Sequence, residues 1–83
     1  MEGFEFECSS LDYGTIENKL CNYYDLGFPN SSNFIEVKPD EWNSITVFAT
    51  NGSVSCCVRA YQRKDSKLYL VSVSSVSVKR SKH

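Results

Sequence analysis

The chain has 83 residues, which is enough for one domain and too few for two. Its composition, 41% hydrophobic, 13% aromatic and 23% charged, is that of a globular domain and excludes a disordered protein. No apolar run reaches the length of a membrane span, and residues 1–8 lack the features of a signal peptide, so we expect a cytoplasmic protein.

The net charge is −1, but acidic and basic residues are unevenly distributed along the chain. Residues 1–41 hold nine acidic and two basic side chains, whereas residues 42–83 hold one acidic and seven basic. Such asymmetry indicates either a surface for an oppositely charged partner or two halves that neutralise each other in the fold.

The first predicted elements are a strand and a helix. Phe4, Phe6 and Cys8 alternate with glutamates, which is the pattern of a half-buried strand. Ser9 and Ser10 then offer N-cap oxygens. The helix ends before Gly27 and Pro29, and its apolar residues recur at spacings of three and four: Tyr13, Ile16, Leu20, Tyr23 and Tyr24.

The remaining elements are strands. A short strand is predicted at Phe34–Lys38, followed by a turn at residues 39–41. Asn51-Gly52 between two alternating runs predicts a hairpin with a type I′ turn. Closing the hairpin there gives three opposed pairs on one apolar face, namely Ala49 with Val54, Val47 with Cys56 and Ile45 with Val58.

A second turn near Lys64-Asp65 predicts a last strand with Tyr69, Val71 and Val73 on the same apolar face. Beyond Ser74-Ser75 the alternation changes parity, which predicts a β-bulge. Residues 79–83 are expected to form a frayed basic tail. The predicted fold is therefore a single α+β domain over residues 1–83, with one helix on one face of a four- to five-stranded antiparallel sheet in the order β-α-β-β-β-β.

One helix leaves the opposite face of such a sheet uncovered. In the predicted register Tyr61 lies opposite Leu68 and Arg59 opposite Leu70. The expected result is an exposed apolar and aromatic patch, and such patches indicate an interface. The predicted partner-binding residues are Phe48, Arg59, Tyr61, Leu68 and Leu70. Two alternatives stay open: residues 28–43, with Phe34 and Trp42, fold over this face, or a homodimer buries it.

Four cysteines match the number of ligands in a structural zinc site, but their spacing includes no Cys-x-x-Cys pair. Adjacent cysteines in a strand also point to opposite faces. Buried free thiols are therefore expected, with zinc and disulfides as alternatives. If a metal binds, its ligands are Cys8, Cys21, Cys56 and Cys57.

The sequence shows no catalytic constellation. Its single histidine is the last residue, and its four glycines are isolated, so a non-enzymatic protein is expected. The basic side chains suggest a second function, contact with a nucleic-acid backbone, although an overall pI near 5.7 is low for such a protein. The residues of this alternative are Arg63, Lys64, Lys67, Lys79, Arg80 and Lys82.

The predicted layout of strand, helix and hairpins, together with polarised charge and an uncovered sheet face, resembles the small inhibitors encoded by phages and mobile elements, including anti-CRISPR proteins. The resemblance rests on general character over the whole chain and transfers no functional residue. It implies a protein that binds a host nucleic-acid-processing machine and blocks it. The leading hypothesis is thus a protein-binding inhibitor or adaptor, followed by a small nucleic-acid-binding domain and a zinc-stabilised interaction module.

Overall fold

The computed structural model describes residues 1–30 and 36–81. This part of the chain contains one helix and four strands, which form an antiparallel sheet in the spatial order β1-β4-β3-β2. The predicted α+β class is confirmed. In chain order the elements are β1 (Phe4–Cys8), α1 (Tyr13–Tyr23), β2 (Asn43–Ala49), β3 (Gly52–Gln62) and β4 (Tyr69–Arg80).

The strand predicted at Phe34–Lys38 is not observed in its described part. Residues 34 and 35 lie outside the described residues, and residues 36–38 have no strand structure. The Asn43 side chain accounts for the end of this segment, because its amide nitrogen donates to the Lys38 carbonyl and its oxygen accepts from the Lys38 amide. Local side-chain bonds of this kind compete with ladder pairing.

The core lies between α1 and one face of the sheet, called here the inner face. Burial alternates with a period of two along the strands, as the sequence predicts for a sheet covered on one side. No helix of the described residues covers the opposite face, called here the outer face. The largest fully buried side chains come from α1, the segment after it and three strands: Ile16, Leu20, Cys21, Leu26, Val47, Val54, Val58 and Val71.

Helix α1 is shorter than predicted at both ends. Its N-cap is Asp12, and the predicted cap Ser10 instead accepts a hydrogen bond from the Asp12 amide. At the other end Asp25 adopts a positive φ of 55°, and the Leu26 amide donates to the Cys21 carbonyl at 2.9 Å. This is a Schellman ending, so the helix stops at Tyr23 before the chain reaches the predicted stop signals.

The first hairpin has the predicted faces but not the predicted register. Val47, not Ala49, lies opposite Val54, and Ala49 lies opposite Gly52. The two-residue loop is therefore Thr50-Asn51 rather than Asn51-Gly52. A slip of two residues leaves every side chain on its predicted face because the side-chain period is two.

Contacts outside the hairpin explain this register. The Asn51 amide donates to the Leu26 carbonyl and the Thr50 amide to the Phe28 carbonyl, both at 2.9 Å. The segment after α1 thus pairs with the end of the hairpin, and Pro29 forms a bridge with Ala49. Gly52 takes a φ of +143°, which a residue with a side chain rarely adopts.

The second hairpin also differs from the prediction by two residues. Tyr61 lies opposite Leu70 and Arg59 opposite Ser72, whereas the sequence predicted Leu68 and Leu70 as their partners. The connecting loop is longer than predicted because Leu68 lies outside β4, where its amide donates to the Ser66 hydroxyl.

The β-bulge predicted near Ser74-Ser75 is confirmed. Cys57 pairs with Ser74 and Ser55 with Ser77, so β4 holds one extra residue in this interval. Ser75 takes a positive φ of 53°, and Val76 returns to the buried side. The bulge keeps the valines before and after it on the inner face.

Strand β4 continues through Arg80, which pairs with Gly52. The tail expected to fray from residue 79 is thus ordered over its first two residues. The Ser81 amide donates to the Asn51 carbonyl at 3.0 Å, and residues 82–83 lie outside the described part. None of the helices in the described ranges is long and apolar enough to cross a membrane.

Candidate functional site

The outer face of the sheet carries most of the residues that the sequence predicted to bind a partner. Because β2, β3 and β4 are in known register, these residues can be placed along the strands. One end of the face holds Arg59 and Tyr61, and the other end holds Phe48. Between the two ends the outer face carries small, mostly polar side chains: Ser44, Thr46, Ser55, Cys57, Ser74 and Ser77.

Arg59 is the centre of the first end. Its guanidinium carbon lies 4.9 Å from the centroid of the Tyr61 ring and 5.9 Å from that of Trp42. Both distances fall within the range of cation–π interactions. The Arg59 Nε is buried and has no hydrogen-bond acceptor among the described residues. The arginine is therefore held in place by rings while part of its hydrogen-bonding capacity is unused.

Tyr61 and Leu70 form the apolar part of this end. They lie directly opposite each other on β3 and β4, and both are half-buried. Leu68, in the loop just before β4, is 41% exposed, and Trp42, just before β2, is 50% exposed. We call these residues the Arg59 patch: Trp42, Arg59, Tyr61, Leu68 and Leu70.

An acidic strand borders the Arg59 patch. Glu7 of β1 lies opposite Leu70, and Glu5 lies opposite Ser72, whose hydroxyl donates to the Glu5 carboxylate at 2.9 Å. Because Ser72 is also the partner of Arg59 on β4, one row across the sheet runs from an arginine through a serine to a glutamate.

Phe48 is not part of the Arg59 patch. It lies opposite Ser53, six residues along β3 from Arg59, which corresponds to roughly 20 Å at 3.3 Å per residue. The structure thus separates Phe48 from the other four predicted partner-binding residues. The phenylalanine is 57% exposed at its own end of the sheet.

The basic residues of the nucleic-acid alternative also divide between the two ends. Arg63, Lys64 and Lys67 are exposed in the loop between β3 and β4. Lys79 and Arg80 lie at the far end of the same ladder, about 30 Å away at the usual rise per residue. Lys82 lies outside the described residues. A surface that used all of these cations would have to follow the whole length of the hairpin.

Arg80 has a structural contact. Its guanidinium donates to the carbonyl oxygens of Tyr24 and Asp25, at 2.8 and 3.1 Å. These carbonyls belong to the C-terminal end of α1, where backbone acceptors are left without intrahelical partners and a positive charge is favourable.

The four thiols are free, and three of them are buried. Burial raises the pKa of the Cys56 thiol to about 12, with the neighbouring Cys57 as the second cause. Burial also raises the pKa of Cys21, and the charge of Glu17 adds to this. Both thiols therefore stay neutral at pH 7, where a neutral thiol is a poor nucleophile.

Cys57 lies on the outer face, half-buried, with its Sγ 3.7 Å from the Ser44 hydroxyl. The two adjacent cysteines thus point to opposite faces, as the sequence predicted. Among residues 1–30 and 36–81, no three Cys, His, Asp or Glu side chains are grouped closely enough to hold a metal ion.

The sequence reasoning treated Trp42 only as a residue that could cover the outer face. Strand alternation could have identified it as a contact residue of the outer face, because it lies two residues before Ser44 and four before Thr46, both on that face. Lys79 could have been placed in the same way, counting on from Ser77 after the bulge.

Comparison with known proteins gives no relative: no protein family, curated protein or solved structure matches this chain.

Proposed function

We propose that this chain is a non-enzymatic binding protein, an inhibitor or adaptor, that engages a protein partner through the Arg59 patch. The observation that carries the proposal is the state of Arg59. Its guanidinium lies against two aromatic rings on a helix-free face, and its buried Nε has no acceptor among the described residues.

The composition of the patch supports a protein partner. Tryptophan, tyrosine and arginine are the residues that most often dominate the energy of protein interfaces. Trp42 and Tyr61 supply rigid apolar surface at a low cost in side-chain entropy. Tyr61 and Leu70, opposite each other, give a continuous apolar contact on two neighbouring strands.

The Arg59 guanidinium indicates what the partner presents. Its Nε is buried within the chain, so a partner would meet the two terminal nitrogens of the same group. A carboxylate fits best, because it can accept two parallel hydrogen bonds from a guanidinium. The rings fix the arginine before binding, which lowers the entropy lost when the contact forms.

The thiols support binding rather than catalysis. Cys56 and Cys21 have raised pKa values because they are buried, so they do not offer a thiolate at neutral pH. Binding would itself be the activity, as in the small inhibitors that the layout resembles.

A tagged pull-down from nuclease-treated lysate of the source organism tests the proposal. The wild-type chain should retain a stoichiometric protein partner, and the double variant Tyr61→Ala with Leu70→Ala should lose it. The matched control is Thr46→Ala with Ser55→Ala, which removes two outer-face hydroxyls that bond to each other at 2.9 Å in the middle of the sheet. This control should bind as the wild type does.

A second variant isolates the arginine. Arg59→Ala should weaken the captured complex by roughly 30-fold or more, the effect of losing a contact worth about 2 kcal/mol. Unchanged affinity in Arg59→Ala, with circular dichroism showing an intact fold in every variant, would refute the assignment of this patch. Equal losses in the Thr46 and Ser55 control would refute it as well.

A further inference from the structure

The opposite end of the outer face joins an exposed aromatic ring to a lysine in one row across three strands. Phe48 of β2 lies opposite Ser53 of β3, and Ser53 lies opposite Lys79 of β4. We call these three residues the tip row. The sequence assigned Phe48 to a protein interface and Lys79 to a nucleic-acid contact, whereas the fold places them in one row with Ser53 between them.

The surface around the tip row is open and polar. Phe48 is 57% exposed, and a shallow depression of about 300 Å³ lies beside it. Asn30, Ser53 and Ser81 contribute polar groups to this depression, and Lys79 and Arg80 contribute positive charge.

A second ring belongs to the same end of the sheet. Phe28 is 79% exposed and lies on the segment that runs beside the end of β2, where the Thr50 amide donates to its carbonyl and the Asn30 amide donates to the Phe48 carbonyl. Exposed phenylalanines are costly to keep in water, and two at one end of a small sheet indicate a contact surface.

We propose that the tip row, with Phe28 beside it, is a binding site for single-stranded nucleic acid. A base would stack on the Phe48 ring, and the adjoining phosphate would meet the Lys79 ammonium. The two residues are two strands apart, about 10 Å, and the flexible lysine side chain closes part of that distance. Aromatic rings on an open sheet with flanking cations are the usual construction of single-strand binding surfaces.

The charge at this end favours an anionic ligand. Arg80 keeps its positive charge near the site while its guanidinium donates to the Tyr24 and Asp25 carbonyls. The loop that it binds carries the acidic Asp25, so Lys79 supplies the net positive charge. A short single strand fits this arrangement, because a stacked base and its adjoining phosphate match the Phe48 ring and the exposed Lys79 ammonium.

The test is fluorescence anisotropy with the full chain and labelled oligonucleotides of about ten nucleotides, one of deoxythymidine and one of uridine. At low salt at least one of them should bind. Phe48→Ser should weaken that binding roughly tenfold or more, the effect of losing one stacked base, and Phe48→Tyr should restore it. Lys79→Gln should weaken binding less and reduce the slope of log affinity against log salt by about 0.7.

The matched control is Lys38→Gln, which removes one charge from an exposed lysine beside Asn43, away from the tip row, and should leave the affinity unchanged. Phe48 and Lys79 are both exposed, so the fold should tolerate their substitution, and circular dichroism checks this. Failure of both oligonucleotides to bind, equal binding of duplex DNA, or equal losses from Phe48→Ser and from the control would each overturn the proposal.

Discussion

Replacing Gly52 by alanine tests the register of the hairpins on which both proposed sites depend. Gly52 pairs with Arg80 and has a φ of +143°. A Cβ at this position would lie 2.0 Å from the Lys79 carbonyl oxygen and 2.9 Å from the Arg80 Cα. Both are backbone atoms, so the clash cannot be relieved by a side-chain rotation.

The expected loss of stability follows from two effects. A residue with a side chain in this φ region costs about 1–3 kcal/mol, and separating the end of the β3–β4 ladder loses about 1 kcal/mol of hydrogen bonding. Gly52→Ala should therefore lower the free energy of unfolding by about 2–4 kcal/mol. For a domain of this size that corresponds to a fall in Tm of roughly 10–25 °C.

Gly14→Ala is the matched control, because Gly14 is helical and its nearest neighbour is the movable Asp12 carboxylate at 3.2 Å. Alanine there should raise stability by about 0.5 kcal/mol, since glycine loses more backbone entropy on folding. Thermal and urea unfolding followed by circular dichroism measure both variants. A Gly52→Ala variant within about 0.5 kcal/mol of the wild type would refute the register.

Three further predictions concern single contacts. The folded state raises the pKa of Cys56 from 9.0 to about 12, so the free energy of unfolding should fall as pH rises through this range. The fall should be less steep in Cys56→Ala. Urea unfolding at several pH values measures this, and an equal dependence on pH in both proteins would contradict it. Arg80→Ala should lower stability by about 1 kcal/mol because two carbonyls at the end of α1 lose their donor, and a change below about 0.3 kcal/mol in urea unfolding would speak against that role. Ser75→Gly should raise Tm and Ser75→Val should lower it, because the bulge residue has a positive φ of 53°; effects of the same sign would rule out the bulge conformation.

The sequence could predict which face of the sheet each side chain lies on, because alternation of apolar and polar residues determines the face. Alternation does not determine which residues pair across strands. The bulge at Ser75 is the clearest case: the change of phase between Val73 and Val76 required an extra residue, and the structure has it there. Both hairpin registers were wrong by two residues for the same reason, since a slip of two leaves the parity intact and only turn chemistry distinguishes the alternatives.

Turn chemistry was misleading because it is local. Asn51-Gly52 is a strong signal for a two-residue turn, but the segment after α1 binds the hairpin end through the Asn51 amide. That hydrogen bond joins residues 25 positions apart, Leu26 and Asn51, and a local sequence pattern cannot predict it. The candidate site was affected in turn, because the register decides that Tyr61 lies opposite Leu70 and that Phe48 shares a row with Lys79.

Photo-crosslinking in the source cells tests the central claim, that the Arg59 patch contacts a protein, most directly. A photoreactive phenylalanine analogue at Tyr61 preserves the ring beside Arg59, and the same analogue at Thr46 samples the polar middle of the outer face. We predict a discrete, nuclease-resistant protein adduct from position 61, lost in the Arg59→Ala background, and none from position 46. An absence of adduct at position 61, or the same adduct from both positions, would contradict the account.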